Sequence, residues 1–165
     1  MILVALGANL PSQAGPPENT IRAALVVLSQ EDIRVEAISR MYGSPAWPDP
    51  SDPPFVNAVA RLTTELSPAE LLRRLHDTEA SFGRRRAADS PRRNAPRTLD
   101  LDLIDYDGLV QLGPPVLPHP RMDSRAFVLV PLRDVAPDWK HPESGRDLSE
   151  LIAELGGAAD SPWVL

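Results

Sequence analysis

The chain opens on a continuous apolar run, residues 1–6, that stops at Gly7-Ala8-Asn9-Leu10. This is the pattern of a buried strand leading into a loop. From about Pro17 to Ser29, Ile21, Leu25 and Leu28 recur at helical spacing and predict a first helix. Alternation returns at about Ile33 to Met41, where Ile33, Val35 and Ala37 take every second place, and predicts a second strand. The proline-rich stretch from Gly43 to Pro54 reads as loop. A third strand, Phe55 to Glu65, puts Phe55, Asn57 and Val59 on one face and Val56, Ala58, Ala60 and Leu62 on the other.

Ser67-Pro68-Ala69-Glu70 is the clearest helix start in the chain: an N-cap serine, proline at the first helical position and the glutamate of a capping box. Leu71, Leu75, Thr78 and Phe82 continue the stripe, and Gly83 ends it. Further on, Leu99, Leu101 and Leu103 alternate with Asp100 and Asp102 in a fourth strand, about Thr98 to Tyr106, closed by a turn at Asp107-Gly108. Beyond that turn the pattern predicts mostly loop and short helix. It includes the apolar run Phe127 to Leu132 and a last helix from about Asp147 to Leu155, opened by Asp147-Leu148-Ser149-Glu150 at capping-box spacing. The order β-α-β-β-α-β through residue 106 is that of the ferredoxin-like α+β fold, with both helices on one face of an antiparallel sheet. The helices require the leucines of the fourth strand, so Asp100 and Asp102 are expected on the opposite face, which this arrangement leaves open for a site.

Composition narrows the reading. A chain of 165 residues with 42% hydrophobic content can bury a real core and reads as one domain over residues 1–165. There is no internal repeat and no apolar run of the roughly 18 residues that a membrane span needs. The opening apolar segment is too short for a signal peptide, so a cytoplasmic protein without a membrane anchor is expected. The absence of cysteine removes disulfides, thiolate metal sites and thiol nucleophiles, leaving carboxylates, three histidines and the arginines for any chemistry.

The formal net charge of −6 argues against non-specific nucleic-acid binding, yet residues 84–97 hold six arginines against the single acid Asp89. This basic segment runs directly into the acidic strand. Two aspartates on one strand face stand about 7 Å apart and repel each other unless a cation lies between them. Alone, the pair could be the solvated face of an edge strand, and the arginines a solvated charge run. Together they suit a polyanion held with its metal ions, since Mg²⁺ favours one or two carboxylates plus phosphate oxygens, and arginine presents a planar fork to phosphate.

Arg93-Asn94-Ala95-Pro96-Arg97-Thr98-Leu99-Asp100-Leu101-Asp102 closely resembles the signature of the 6-hydroxymethyl-7,8-dihydropterin pyrophosphokinase family. Shorter matches follow in order: Gly7-Ala8-Asn9-Leu10, Tyr42-Gly43-Ser44-Pro45, Phe55-Val56-Asn57-Ala58, Gly83-Arg84-Arg85-Arg86, Leu117-Pro118-His119-Pro120-Arg121-Met122, Arg125-Ala126-Phe127 and Pro131-Leu132. The resemblance implies an αβα sandwich and a folate-pathway enzyme that moves the pyrophosphoryl group of ATP onto a pterin alcohol. It implies Asp100 and Asp102 as ligands of two Mg²⁺ ions, with Arg84 and Arg97 acting on the migrating group. Glu79, Arg86, Arg97, Leu103, His119 and Arg125 would lie on the ATP side. On the pterin side it implies Phe55 and Phe127 against the flat ring, Asn57 on its edge, and the segment Ser44, Pro45, Ala46 and Trp47. Partners beyond these small molecules are not implied, and the chain reads as a monomer. The segment from Gly83 to Arg97 is a few residues longer than in short members, Pro11 stands where a glycine often follows the first-strand leucine, and residues 113–116 lack a basic residue that some relatives carry. Two rival readings are another ATP-dependent phosphoryl or nucleotidyl transferase on this scaffold and a non-catalytic metal or nucleotide-binding module.

Overall fold

A computed structural model describes residues 1–30, 32–47, 49–84, 95–156 and 161–165. The elements run β1 (Ile2–Ala8), α1 (Pro17–Leu28), β2 (Ile33–Ile38), β3 (Tyr42–Ser44), β4 (Phe55–Thr64), α2 (Pro68–Ser81), β5 (Asp100–Tyr106), α3 (Ala126–Val135), α4 (Leu148–Glu154) and β6 (Trp163–Val164). β1 is central, paired antiparallel with β4 on one edge and β5 on the other. The far edge of β4 is shared end to end: β2 pairs with its Ala60–Thr64 half and β3 with its Phe55–Asn57 half. β6 then pairs with β3. The βαββαβ core is ferredoxin-like, as the element order predicts.

The alternation of side chains divides the sheet into two cores. Val4, Leu6, Ala58, Ala60, Leu62, Leu101 and Leu103 face α1 and α2, where Ile21, Ala24, Leu71 and Leu75 meet them. The α2 start is built as expected: the Ser67 N–H donates to the Glu70 carboxylate at 2.8 Å and the Glu70 N–H to Ser67 Oγ at 3.4 Å. Gly83 follows the helix with φ +82°, a conformation that glycine adopts without cost. On the opposite face Leu3, Val59 and Ile104 pack under Val128, Leu129 and Leu132 of α3, Leu148 and Leu151 of α4, and Trp139. This second face is therefore not open along its length. Its free portion is the end where β1 changes from Leu3 to the small residues Ala5 and Gly7.

Three other expectations change, and one strand is new. The second strand, expected to run from Ile33 to Met41, stops at Ile38 because a side chain takes over the ladder: Ser39 Oγ accepts from the Val59 N–H at 3.0 Å while the Ser39 N–H donates to the Val59 carbonyl at 2.9 Å. The stretch from Gly43, expected to be loop, begins as strand β3 instead. The apolar run at Phe127 becomes a ten-residue helix that accommodates Pro131, and β6 was not expected at all.

Candidate active site

Strand register sets up the site. Asp100 lies opposite Gly7, and Gly7 opposite Asn57; one step along, Asp102 lies opposite Ala5, and Ala5 opposite Val59. Glycine and alanine on the central strand leave the floor between the carboxylates and Asn57 low. A cleft of about 440 Å³ opens there, lined by Gly7, Ser44, Pro45, Trp47, Phe55, Asn57, Arg97, Asp100, Asp102, Arg125 and Phe127, among others.

At its acidic end Asp100 faces two guanidinium groups, and Asp102 faces one guanidinium and one imidazole. Asp100 is bridged by Arg84 Nη2 at 3.0 Å on one oxygen and by Arg97 Nη1 at 2.9 Å on the other. Asp102 faces His119 Nε2 at 4.0 Å and Arg125 Nη1 at 3.8 Å, at the outer reach of an ion pair. Burial, then the neighbouring charge of Asp100, pushes the Asp102 carboxyl above the usual carboxylate range, against the pull of His119 and Arg125. Burial lowers the His119 pKa against the pull of Asp102, and the nearby Arg125 and Arg121 add to the lowering. His119 Nδ1 accepts from the Arg121 N–H at 3.2 Å, so a neutral ring turns its Nε2–H toward Asp102. Burial, then Arg121, also lowers the Arg125 pKa.

At the other end, Asn57 is buried, with its amide donating to Ser44 Oγ at 2.9 Å and to the Tyr42 carbonyl at 3.4 Å. Phe55 and Phe127 line the cleft outside both cores, with the guanidinium of Arg97 5.7 Å from the first ring and that of Arg125 5.5 Å from the second. Trp47 borders the cleft and is 70% exposed, whereas Ala46 is buried and outside the lining.

Two further residues expected at the site, Glu79 and Leu103, are buried away from the lining. Glu79 is buried, its Oε1 accepting from the Leu101 N–H at 2.8 Å, and its carbonyl accepts from the Arg84 N–H at 3.1 Å. It thus holds the backbone between the two aspartates and the start of the arginine segment. The Leu103 side chain lies in the core beneath α1 and α2. Arg86 falls outside the described residues.

Sequence reasoning gave no role to Asn9, which the structure makes a tie between loops. Its Oδ1 accepts from the Arg97 N–H at 2.7 Å, its own N–H donates to the Arg97 carbonyl at 3.1 Å, and its amide donates to the Pro53 carbonyl at 3.0 Å. The signal was present as a motif, Gly7-Ala8-Asn9-Leu10, without a distance to give it meaning. Arg121 and Leu155 also line the cleft, and neither was assigned from the sequence.

The chemistry of the donor set fits magnesium. Two hard carboxylates share a strand face and both border the cleft, but among the described residues no group of three or more histidine or acidic side chains could form a closed metal cage. Such a pair leaves coordination positions for phosphate and water, the arrangement Mg²⁺ favours.

Fold and site together define a class: a ferredoxin-like α+β enzyme whose cleft joins an acidic, arginine-clamped end to an aromatic one. The model of the family described as 7,8-dihydro-6-hydroxymethylpterin-pyrophosphokinase (HPPK) matches residues 3–137. Over 162 residues the chain is 40% identical to the 2-amino-4-hydroxy-6-hydroxymethyldihydropteridine pyrophosphokinase of Synechocystis sp., covering 97% of this chain and 78% of that one. Over 154 residues it is 42% identical to the Pseudomonas aeruginosa protein of the same name, covering 92% and 90%. The Haemophilus influenzae protein of that name is 37% identical over 154 residues, covering 92% and 91%. The chain belongs to the 7,8-dihydro-6-hydroxymethylpterin-pyrophosphokinase family.

Proposed function

We propose that this protein transfers the pyrophosphoryl group of ATP to the hydroxyl of 6-hydroxymethyl-7,8-dihydropterin, yielding AMP and the pterin diphosphate. The observation that carries this reading is the meeting, in one cleft, of an arginine-clamped Asp100–Asp102 pair with Phe55, Phe127 and a buried Asn57 amide. The ring end suits a flat heterocycle: aromatic faces offer stacking, and Asn57 offers an amide that can match a donor–acceptor edge. Ser44, Pro45 and Trp47 border that end, with Ala46 packed behind them.

In the transfer the pterin oxygen bonds to the β-phosphorus, the bond from that phosphorus to the α-bridging oxygen breaks, AMP departs, and the hydroxyl proton is released to water. Such a displacement needs positioning and neutralisation of charge rather than covalent help from the protein. Asp100 and Asp102 would hold two Mg²⁺ ions, which when bound supply charge neutralisation at the phosphate oxygens. Arg84 and Arg97 exchange Asp100 for the migrating group, a forked donor moving from one oxyanion to another. His119 and Arg125 take the nucleotide phosphates, with Arg86 on the same side. Glu79 and Leu103 contribute to that side through the backbone they support. Residues 1–165 act as one pyrophosphokinase domain, a cytoplasmic monomer. No helix among the described residues is long and apolar enough to cross a membrane.

One incubation with ATP, Mg²⁺ and the pterin alcohol tests the assignment. AMP and a pterin diphosphate are expected; ADP would indicate a monophosphoryl transferase, pyrophosphate a nucleotidyl transferase, and no turnover a binding module. Asp100→Ala is expected to cut the rate about a hundred-fold or more while the protein stays folded by circular dichroism. Full activity in that variant would rule out the metal role.

A further inference from the structure

The family match ends at residue 137, yet the chain beyond it reaches the cleft at Leu155 and then pairs with a strand that carries part of its wall. Leu155, just after α4, is one of the lining residues. β6 then lies along the outer edge of β3, with Tyr42 opposite Val164 and Gly43 opposite Trp163, and the Leu165 N–H donates to the Met41 carbonyl at 3.0 Å. β3 is only three residues long. A strand this short, paired along one edge alone, would fray readily. Held between β4 and β6 instead, it presents Ser44 to the Asn57 amide and leads directly into Pro45, and both Ser44 and Pro45 line the cleft.

The Trp163 indole determines how closely β6 approaches. A Cβ built on Gly43 would stand 2.2 Å from Trp163 Cε2 and 2.4 Å from its Nε1, far inside contact distance. Gly43 is not among the glycines with positive φ. Its backbone therefore does not require glycine; the indole resting on it does. Paired strand residues share a face, and Val56, the other partner of Gly43, packs toward α1 and α2. Trp163 thus supports β3 from behind while Ser44 faces the cleft.

We propose that Trp163, with Leu155 and the β6 backbone, is a positioning residue for the ring-binding wall. The contact of Trp163 on Gly43 holds β3, and through it Ser44 and Pro45, where they close around the pterin. This rests on the assignment of Ser44, Pro45 and Asn57 to that ring. In the full chain, Trp163→Ala is expected to raise the KM for the pterin about five-fold with kcat and the KM for ATP little changed, the mark of binding lost equally from ground and transition states at one substrate only. Gly43→Ala, which displaces the indole, is expected to act similarly and to add nothing further in the Trp163→Ala background. An unchanged pterin KM in Trp163→Ala, independent increments in the double variant, or losses spread over kcat and both KM values in step with a lowered Tm would each overturn the proposal. If the wild-type protein releases no AMP, the substrate reading falls, and hydrogen exchange then tests the clamp by itself. Faster exchange confined to residues 42–44 in Trp163→Ala supports it, and unchanged exchange there overturns it.

Discussion

Asp100 and Asp102 are the same residue type two positions apart, and their neighbours give them different work. Asp100 has both oxygens occupied by guanidinium groups, whereas Asp102 meets His119 and Arg125 only at 3.8–4.0 Å. Burial and Asp100 together hold the Asp102 carboxyl above its unfolded range. A raised carboxyl favours the folded state fully below the unfolded pKa of about 4, and that advantage is lost as pH rises through the folded value. Above the unfolded pKa the fold of the ligand-free protein therefore loses stability at this carboxyl, whose ionisation its surroundings disfavour. Asp102→Asn is expected to raise the Tm of the protein in EDTA at pH 7, with the gain fading as pH falls toward 4, and to cut AMP release about a hundred-fold or more. Melting curves across that pH range check it; a Tm unchanged or lowered at pH 7 would mean that the cationic neighbours fully offset the repulsion. The alternation of aspartate and leucine made this pair visible in the sequence. The pairing of arginines on Asp100 was not, because it depends on the end of α2 delivering Arg84 to the carboxylate that Arg97 also holds.

Among the elements, α2 shows what periodicity reveals and what it conceals. The capping box at Ser67 and the stripe of Leu71, Leu75 and Thr78 are written in the sequence and are buried or bonded as expected. Glu79 interrupts that stripe with a carboxylate that is 1% exposed. β5 is an edge strand, so its outward Leu101 N–H has no strand partner, and Glu79 supplies one at 2.8 Å. Local spacing cannot tell which strand will be an edge or which helix will lie beside it. The same limit hid β3 and β6, whose pairing is settled by tertiary neighbours, and the end of β2, where a serine hydroxyl displaces the ladder. Glu79→Ala leaves the Leu101 N–H buried without its acceptor and is expected to cost about 1–3 kcal/mol, whereas Glu79→Gln keeps an amide oxygen in place and recovers most of it. Urea denaturation of the two variants checks the order; equal losses would show that the Leu101 bond contributes little.

At the scale of the whole molecule, two layers must stay in register for the cleft to exist, because the sheet carries Ser44 and Asn57 while α3 carries Phe127. The connection between them is made at the other end of α3. Asp134 accepts from the Tyr42 hydroxyl at 2.9 Å and from Arg40 through its backbone N–H at 3.1 Å, Nε at 3.1 Å and Nη2 at 3.0 Å. Tyr42 is buried at the start of β3, so one aspartate ties the helix to the strand that leads into the ring end of the cleft. The Arg40 hydrogen bonds, with the Tyr42 hydroxyl helping, hold the Asp134 carboxyl below the usual carboxylate range. A lowered carboxyl stabilises the fold above its unfolded pKa of about 4, and that contribution is lost as pH falls through the folded value. Tyr42→Phe removes the hydrogen bond to the ionised carboxylate and the one the hydroxyl accepts from Arg40 Nη2 at 2.9 Å while keeping the ring, so a loss of about 1.5–3 kcal/mol is expected at pH 7. In a chain of this size that corresponds to a Tm lower by roughly 3–12 °C. Because the bond depends on the carboxylate charge, the difference between variant and wild type is expected to shrink below about pH 4, as Asp134 takes up its proton. Paired melting curves from pH 7 down to about pH 2 measure this directly: a Tm difference that persists unchanged in acid would assign the effect to packing of the tyrosine and its bond from Arg40 rather than to the bond that joins the layers.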